Sequence, residues 1–309
     1  MSGAWIEVHD LRLERGGRLV LQGINASLSG RAVGLVGANG AGKSTLIGAL
    51  LGVLRPASGS IRVLDLEIPH RAMDLRARAG VMAEQAGVFP GGSGVDAVVF
   101  AGMLSGLSRR ESLRRSHRAL DALDVGEERY RPASGYSTGM KQRTKLAMSL
   151  VHDPEILILD EPTVGLDPLG RTQLLRLIRE LRDEGRRILL STHVLQDAET
   201  VCDEMLLIQG GVVAFSGPVL GLLGAEDGRM LATGSGFDAA FVGRLGELGF
   251  ADASGTSERL VFRSRADGDL MPFWRLAAET GVEVRFLGRD HPTLEDAVIA
   301  VMEESHHGR

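Results

Sequence analysis

Nine consecutive residues, Gly37, Ala38, Asn39, Gly40, Ala41, Gly42, Lys43, Ser44 and Thr45, combine three glycines, one cation and two hydroxyls. That mixture suits phosphate oxygens. Glycine lets the main chain wrap closely around an anion and reaches backbone angles that other residues avoid. The spacing Gly37-x4-Gly42-Lys43-Ser44 places the Lys43 ammonium toward β- and γ-phosphates and the Ser44 hydroxyl toward Mg²⁺. Ahead of the loop lies the apolar "AVGLV", and after it the apolar-periodic "KSTLIGALLGVL". Strand, loop and helix in that order aim the positive end of a helix at the phosphates. A chance lysine in a glycine-rich turn would lack this setting.

Two further stretches carry chemistry. "EILILDEP" puts Asp160 and Glu161 at the end of an apolar strand. There Asp160 can hold Mg²⁺ directly or through water, and Glu161 can polarise an attacking water. The bland reading, that the two acids cap the following turn, is weak beside a phosphate loop. "YSTGMKQR" (136–143) opens a helix whose hydroxyl and glycine expose backbone N–H groups to an anion. Alone it would be an ordinary helix cap.

Taken in order, these motifs resemble those of the ATP-binding cassette (ABC) ATPases, and the resemblance covers roughly residues 4–220. "GANGAGKST" is similar to the Walker A loop, "YSTGM" to the family signature, and "ILILDEP" to Walker B with its catalytic glutamate. "GLDP" (165–168) is similar to the D-loop, and His193 in "STH" to the switch histidine. The resemblance implies a P-loop NTPase fold: a RecA-like α/β core with an antiparallel β-subdomain and an α-helical subdomain. It also implies ATP and Mg²⁺ as cofactors. "YSTGMKQR" with "DEPTVGLDP" looks like the branch that powers drug, antibiotic and metal-processing exporters. "HPTLEDAVIAVMEE" near the C-terminus is similar to the helix that ends an extra domain in that branch.

In the resembled family two cassettes pack head to tail. One cassette per chain therefore implies a homodimer or a paired ABC subunit, with Ser137 and Gly139 of one protomer reaching the γ-phosphate bound by Lys43 of the other. Glu161 and His193 would assist hydrolysis. The resemblance further implies separate membrane-spanning permease subunits and a cytoplasmic chain, peripheral on the inner face of the cell membrane. Two positions depart from the pattern. Where the family places an aromatic against adenine, "LRLERGG" offers Arg15, whose guanidinium either stacks on the base or is a solvated surface group. At the Q-loop, "GVMAEQ" puts Glu84 in the glutamine's position and Gln85 one later, and either side chain could approach Mg²⁺ or the attacking water.

Composition bounds the rival readings. The net charge is −5 and aromatics make up 4%, so neither a basic field nor a base-stacking platform points to nucleic acid. A soluble ABC ATPase acting on ribosomes or DNA is the alternative, but its usual second cassette, coiled-coil insertion or basic arm is missing from the sequence. A small-molecule kinase would leave "YSTGM" unexplained. Cys202 is the only cysteine, so no intrachain disulfide can form; it reads as a small buried hydrophobe in a reducing compartment. "MSGAWIEVHD" has acids and no apolar core, so no signal peptide is expected. The uncharged run 205–225 contains five glycines and Pro218, and reads as strand, Gly-Gly turn, strand and short helix rather than a membrane span.

The elements that must position these groups follow from pattern. Residues 5–28 alternate as antiparallel strands, and "IRVLDL" is a further strand. Residues 92–150 read as helical throughout, with "SRRESLRRSHRALDAL" as a solvated amphipathic helix. "GVDAVVFAGMLSGLS" (94–108) is apolar enough to be either core or a contact for a membrane subunit. "EILILD", the helix "LGRTQLLRLIRELRDEG" and "RRILLST" form a strand–helix–strand unit, which implies a parallel sheet. A composition shift near "GAEDG" divides an ABC ATPase domain (1–224) from a C-terminal α+β accessory domain (225–309) of ferredoxin-like arrangement.

Overall fold

The computed structural model describes residues 3–84, 92–222, 228–265 and 267–289, together with residues 294, 295, 297 and 298. Two compact units are present, one running through Val219 and one beginning at Leu220.

In the first unit, β1 (Ile6–Arg15) and β2 (Arg18–Leu28) form a hairpin, and β3 (Ala32–Val36) leads into the glycine loop and α1 (Lys43–Leu50). β4 (Ser58–Val63), β5 (Leu66–Ile68), α2 (Ala72–Arg78) and β6 (Ala79–Met82) follow. β1 and β2 join β4 and β5 in an antiparallel sheet of order β2-β1-β4-β5. The helical stretch holds α3 (Gly94–Leu104), α4 (Arg109–Ala122) and α5 (Thr138–Leu150). It is not helical throughout in the α sense, because 123–137 carries only two 3-10 turns, Glu127–Tyr130 and Ala133–Gly135. Pro132 and the glycines at 126 and 135 break an α pattern there.

The chain then alternates through β7 (Ile156–Asp160), α6 (Pro168–Asp183), β8 (Arg187–Thr192), α7 (Leu195–Val201), β9 (Glu204–Gln209), β10 (Val212–Pro218) and the short α8 (Val219–Leu222). The resulting sheet has the order β10-β9-β3-β8-β7-β6, with β10 the antiparallel edge. Every residue of β3 and of β7 is buried, as expected for parallel strands covered on both faces. In β1 and β4 buried and exposed residues alternate instead. Leu46, Ile47 and Leu50 of α1 pack in one core with Leu11, Leu21 and Val33, so α1 is gripped by both sheets. The run from residue 205 is strand, Gly210-Gly211 turn, strand and short helix, and among the described residues no helix is long and apolar enough to cross a membrane.

The second unit runs β11 (Arg229–Ser235), α9 (Ala239–Glu247), β12 (Ala251–Gly255), β13 (Arg259–Arg263), α10 (Met271–Thr280) and β14 (Glu283–Arg289). Its antiparallel sheet has the order β12-β13-β11-β14, the connectivity of a ferredoxin-like split βαβ. Phe241, Phe250, Phe262 and Phe273 fill its core, with Phe262 and Phe273 stacked at 5.1 Å. The composition of β12 does not announce a strand. "ADASG" has no β-branched or aromatic residue to mark it, and it is held by pairing with β13. Of the helix expected over "TLEDAVIAVMEE", residues 294, 295, 297 and 298 are helical, and the others lie outside the described residues.

Candidate functional site

The register of the parallel sheet assembles the site. Val36 pairs with Thr192, and Asp160 with Ser191, so the C-terminal ends of β3, β7 and β8 lie side by side. The glycine loop, Glu161 and His193 leave those three ends in turn. Ligands of open α/β sheets bind at this end of the strands.

The loop is shaped by what surrounds it. A Cβ on Gly37 would lie 2.3 Å from the Ile208 carbonyl oxygen, so only glycine lets β3 turn beside β9. Gly42 adopts φ 110° and faces Leu21 of β2, where a Cβ would come within 2.8 Å. Gly42 caps α1 without a side-chain hydrogen bond, and the first turn holds no acid. The positive helix end is therefore left for an outside anion. Asn39 and Gly40 lie at the exposed outer bend, whereas Ala41 and Thr45 are buried against the core and Ser44 is exposed.

Lys43 is 6% exposed; its Nζ donates to the carbonyls of Gly37 at 2.7 Å and Ala38 at 3.3 Å. It also lies 3.3 Å from Glu161 Oε1, an ion pair without hydrogen-bond alignment, since that oxygen has no hydrogen-bond partner among the described residues. Glu161 holds φ 49°, a left-handed conformation unusual outside glycine, and its N–H donates to the Ser191 carbonyl. Its other carboxylate oxygen lies 2.8 Å from His193 Nδ1, on a ring that stays 41% exposed. Lys43, Glu161 and His193 thus form one line from buried cation to exposed imidazole.

Asp160 is buried, and its Oδ1 has no hydrogen-bond partner among the described residues. An orphaned carboxylate oxygen and the exposed hydroxyl of Ser44 fit a hard divalent cation that takes most of its remaining ligands from phosphate and water. Among the described residues no cluster of three His, Cys, Asp or Glu could cage a metal without such help.

Other expected residues sit elsewhere. Ser137 caps α5, its hydroxyl accepting from Met140 N–H at 3.2 Å, so the ordinary capping role is real. Tyr136 anchors this cap: its hydroxyl accepts from Gly94 N–H and donates to the Glu128 carbonyl, both at 3.0 Å. Ser137 and Gly139 line a cleft of about 500 Å³ together with Gly165, Leu166 and Asp167, and no glycine-loop residue lines it. Arg15 lies exposed at the tip of the β1–β2 hairpin, and its side chain has no hydrogen bond or ion pair among the described residues. Glu84 is exposed, with its carbonyl accepting from Lys145 Nζ at 3.1 Å; Gln85 lies outside the described residues.

Two residues that the sequence did not single out hold the segment after Glu161. Gln142 donates to the Val164 carbonyl at 3.1 Å, and the fully buried Asp197 bonds both Thr163 and Arg171. Gln142 lies inside "YSTGMKQR" and Asp197 four residues past His193, but nothing in either stretch announces a partner.

Together the fold and this site define a P-loop ATPase with an added antiparallel sheet and a helical segment. A sequence model described as "ABC transporter" matches residues 21–164. An uncharacterized ABC transporter ATP-binding protein of Synechocystis sp., sll0415, is 30% identical over 89% of this chain and 76% of its own length. The chain belongs to this family and is an ATPase and ABC transporter ATP-binding subunit. The daunorubicin/doxorubicin resistance ATP-binding protein DrrA of Streptomyces peucetius is 35% identical over 69% of this chain and 64% of its own. Across eight curated relatives compared with the chain, the aligned region spans 56 to 77% of their length. The solved structure of cbiO1 from Clostridium perfringens, part of the ABC transporter complex cbiONQ, superposes with a TM-score of 0.63 at 30% identity, covering 70% of this chain and 89% of that one.

Proposed function

We propose that this chain drives export of a substrate through separate membrane-spanning subunits, by pairing with a second cassette when ATP is bound. One observation carries the pairing: the signature residues Ser137 and Gly139 line a cleft apart from the glycine loop. A second cassette is needed to bring such a surface to the phosphates held by Lys43. In this reading Lys43 and the loop N–H groups bind the β- and γ-phosphates. Ser44 and Asp160 hold Mg²⁺, which supplies charge neutralisation at the phosphates. Glu161 takes the proton of the attacking water, and His193 orients Glu161 through the contact at Nδ1. Phosphate arriving at Lys43 would compete with its pairing to Glu161 and so free the carboxylate for its catalytic task.

Export is supported by the likeness to DrrA, whose name states drug resistance. A contact for membrane subunits is supported by α3. One face of this helix buries Val95, Ala97 and Val98 in the core, while Phe100, Met103 and Leu104 are exposed on another. The apolar stretch is thus both core and surface. The chain would then lie at the inner face of the membrane, with residues 225–309 as an accessory domain. Co-purification of the tagged chain from detergent-solubilised membranes tests this. Recovery of an integral membrane protein that is lost on replacing Phe100 and Leu104 by Ser supports the reading. Recovery of ribosomes or DNA in its place would favour the soluble alternative.

A further inference from the structure

Asp197 is 0% exposed, and its two carboxylate oxygens are both engaged. Oδ2 accepts from Thr163 Oγ1 at 2.6 Å and Oδ1 from Arg171 Nε at 2.7 Å. Those partners stand at the two ends of one short segment: Thr163 lies two residues after Glu161, and Arg171 in the first turn of α6. Between them run Val164–Gly170, which include the cleft residues Gly165, Leu166 and Asp167. One buried carboxylate therefore closes this loop like a clasp. Asp197 itself is tied to the His193 segment, since its N–H donates to the Val194 carbonyl and Val194 N–H donates to Thr192 Oγ1. Gln142 holds the same loop from the side of α5, through the Val164 carbonyl. The Nη2 of Arg171 is buried without a hydrogen-bond partner among the described residues, and Asp197 is the carboxylate that answers its charge.

We propose that Asp197 is a positioning residue for ATP hydrolysis, clasping both ends of the 163–171 loop to the base of the His193 segment so that Glu161 and His193 keep their 2.8 Å contact. Glu161 and Thr163 share a short turn whose strained φ leaves little slack, and His193 shares its segment with Asp197. Loosening the clasp lets the two catalytic side chains drift relative to each other. Phosphate binding, which rests on the glycine loop and Lys43, stays as it is. The inference rests on the hydrolysis reading given above.

Thr163→Val is the decisive variant, because it keeps shape and removes the bond to Oδ2 while Arg171 still answers the buried charge at Oδ1. In the full-length chain kcat should fall roughly 10- to 100-fold, the scale set by a displacement of about 1 Å at a reacting centre. Affinity for a fluorescent ATP analogue should stay within about twofold, because no binding group is touched. Thr163→Ser, which restores the hydroxyl, should return kcat to near the wild-type value. A merely structural hydroxyl would lower the melting temperature yet leave kcat per nucleotide-binding site unchanged. Turnover of Thr163→Val at the wild-type level, or a loss shared equally by binding, overturns the proposal. An inert wild-type chain under the same conditions would refute the hydrolysis reading itself, and the clasp's role with it. Asp197→Asn, expected to show the same split, adds the Arg171 arm if it folds; unaltered turnover there also overturns the proposal.

Discussion

Glu161→Gln takes one charge out of a buried pair and leaves the shape of the site intact. Lys43 and Glu161 are each 6% exposed, with 3.3 Å between Nζ and Oε1. Breaking a buried ion pair by removing one partner costs about 3–5 kcal/mol. Lys43 keeps its two carbonyl partners at 2.7 and 3.3 Å, and glutamine keeps the reach toward His193. The cost should therefore fall at the lower end, about 3 kcal/mol, in the nucleotide-free protein. At about 2–4 °C per kcal/mol for a unit of this size, the variant should melt roughly 6–12 °C below wild type. Bound triphosphate supplies the charge that Lys43 has lost, so the deficit should shrink to a few degrees with a saturating non-hydrolysable ATP analogue and Mg²⁺. Thermal unfolding of both proteins, with and without the analogue, reads out the difference. An equal deficit in both conditions would refute the reasoning, because it would mean that nucleotide does not take over Glu161's place at Lys43.

Lys43→Ala should abolish ATP hydrolysis and weaken nucleotide binding, as seen in a phosphate-release assay and a fluorescent-nucleotide titration; hydrolysis at the wild-type rate would sink the phosphate-loop assignment. Arg15→Ala should weaken ATP binding by roughly 0.5–2 kcal/mol if the guanidinium stacks on adenine, and Arg15→Tyr should restore it; unchanged affinity in the alanine variant would make Arg15 a solvated surface residue. Burial pushes the Cys202 thiol well above its ordinary pKa, so the folded protein should resist a thiol reagent at pH 8 and react fully once unfolded. Rapid labelling of the native chain would contradict the packing of Cys202 against β3.

Much of the site was legible because each motif carries its own local cause. Gly37 and Gly42 are required by backbone crowding and by a left-handed φ, and the short apolar runs "AVGLV" and "ILIL", set between turn residues and helices, read as strands buried on both faces. What stayed hidden depends on contacts between distant segments. Thr163, Arg171 and Asp197 are unremarkable polar residues until the fold joins them around one carboxylate. The Lys43–Glu161 pair spans more than a hundred residues and exists because β3 and β7 both flank β8. β12 lacks the composition of a strand and is specified by its neighbour in the sheet. The apolar 94–108 stretch gave no periodic sign of which residues face out, since both faces of α3 are apolar.

ATP-dependent pairing of the Glu161→Gln chain tests the central claim most directly. Loss of the base should slow hydrolysis by roughly 10²–10⁴-fold while binding persists. Bound ATP would then hold two cassettes together, each presenting Ser137 and Gly139 to the other's phosphates. Size-exclusion chromatography with light scattering should show a dimer at saturating ATP and Mg²⁺, and a monomer with ADP. A chain that stays monomeric with ATP would contradict self-pairing and require a different cassette to complete the site.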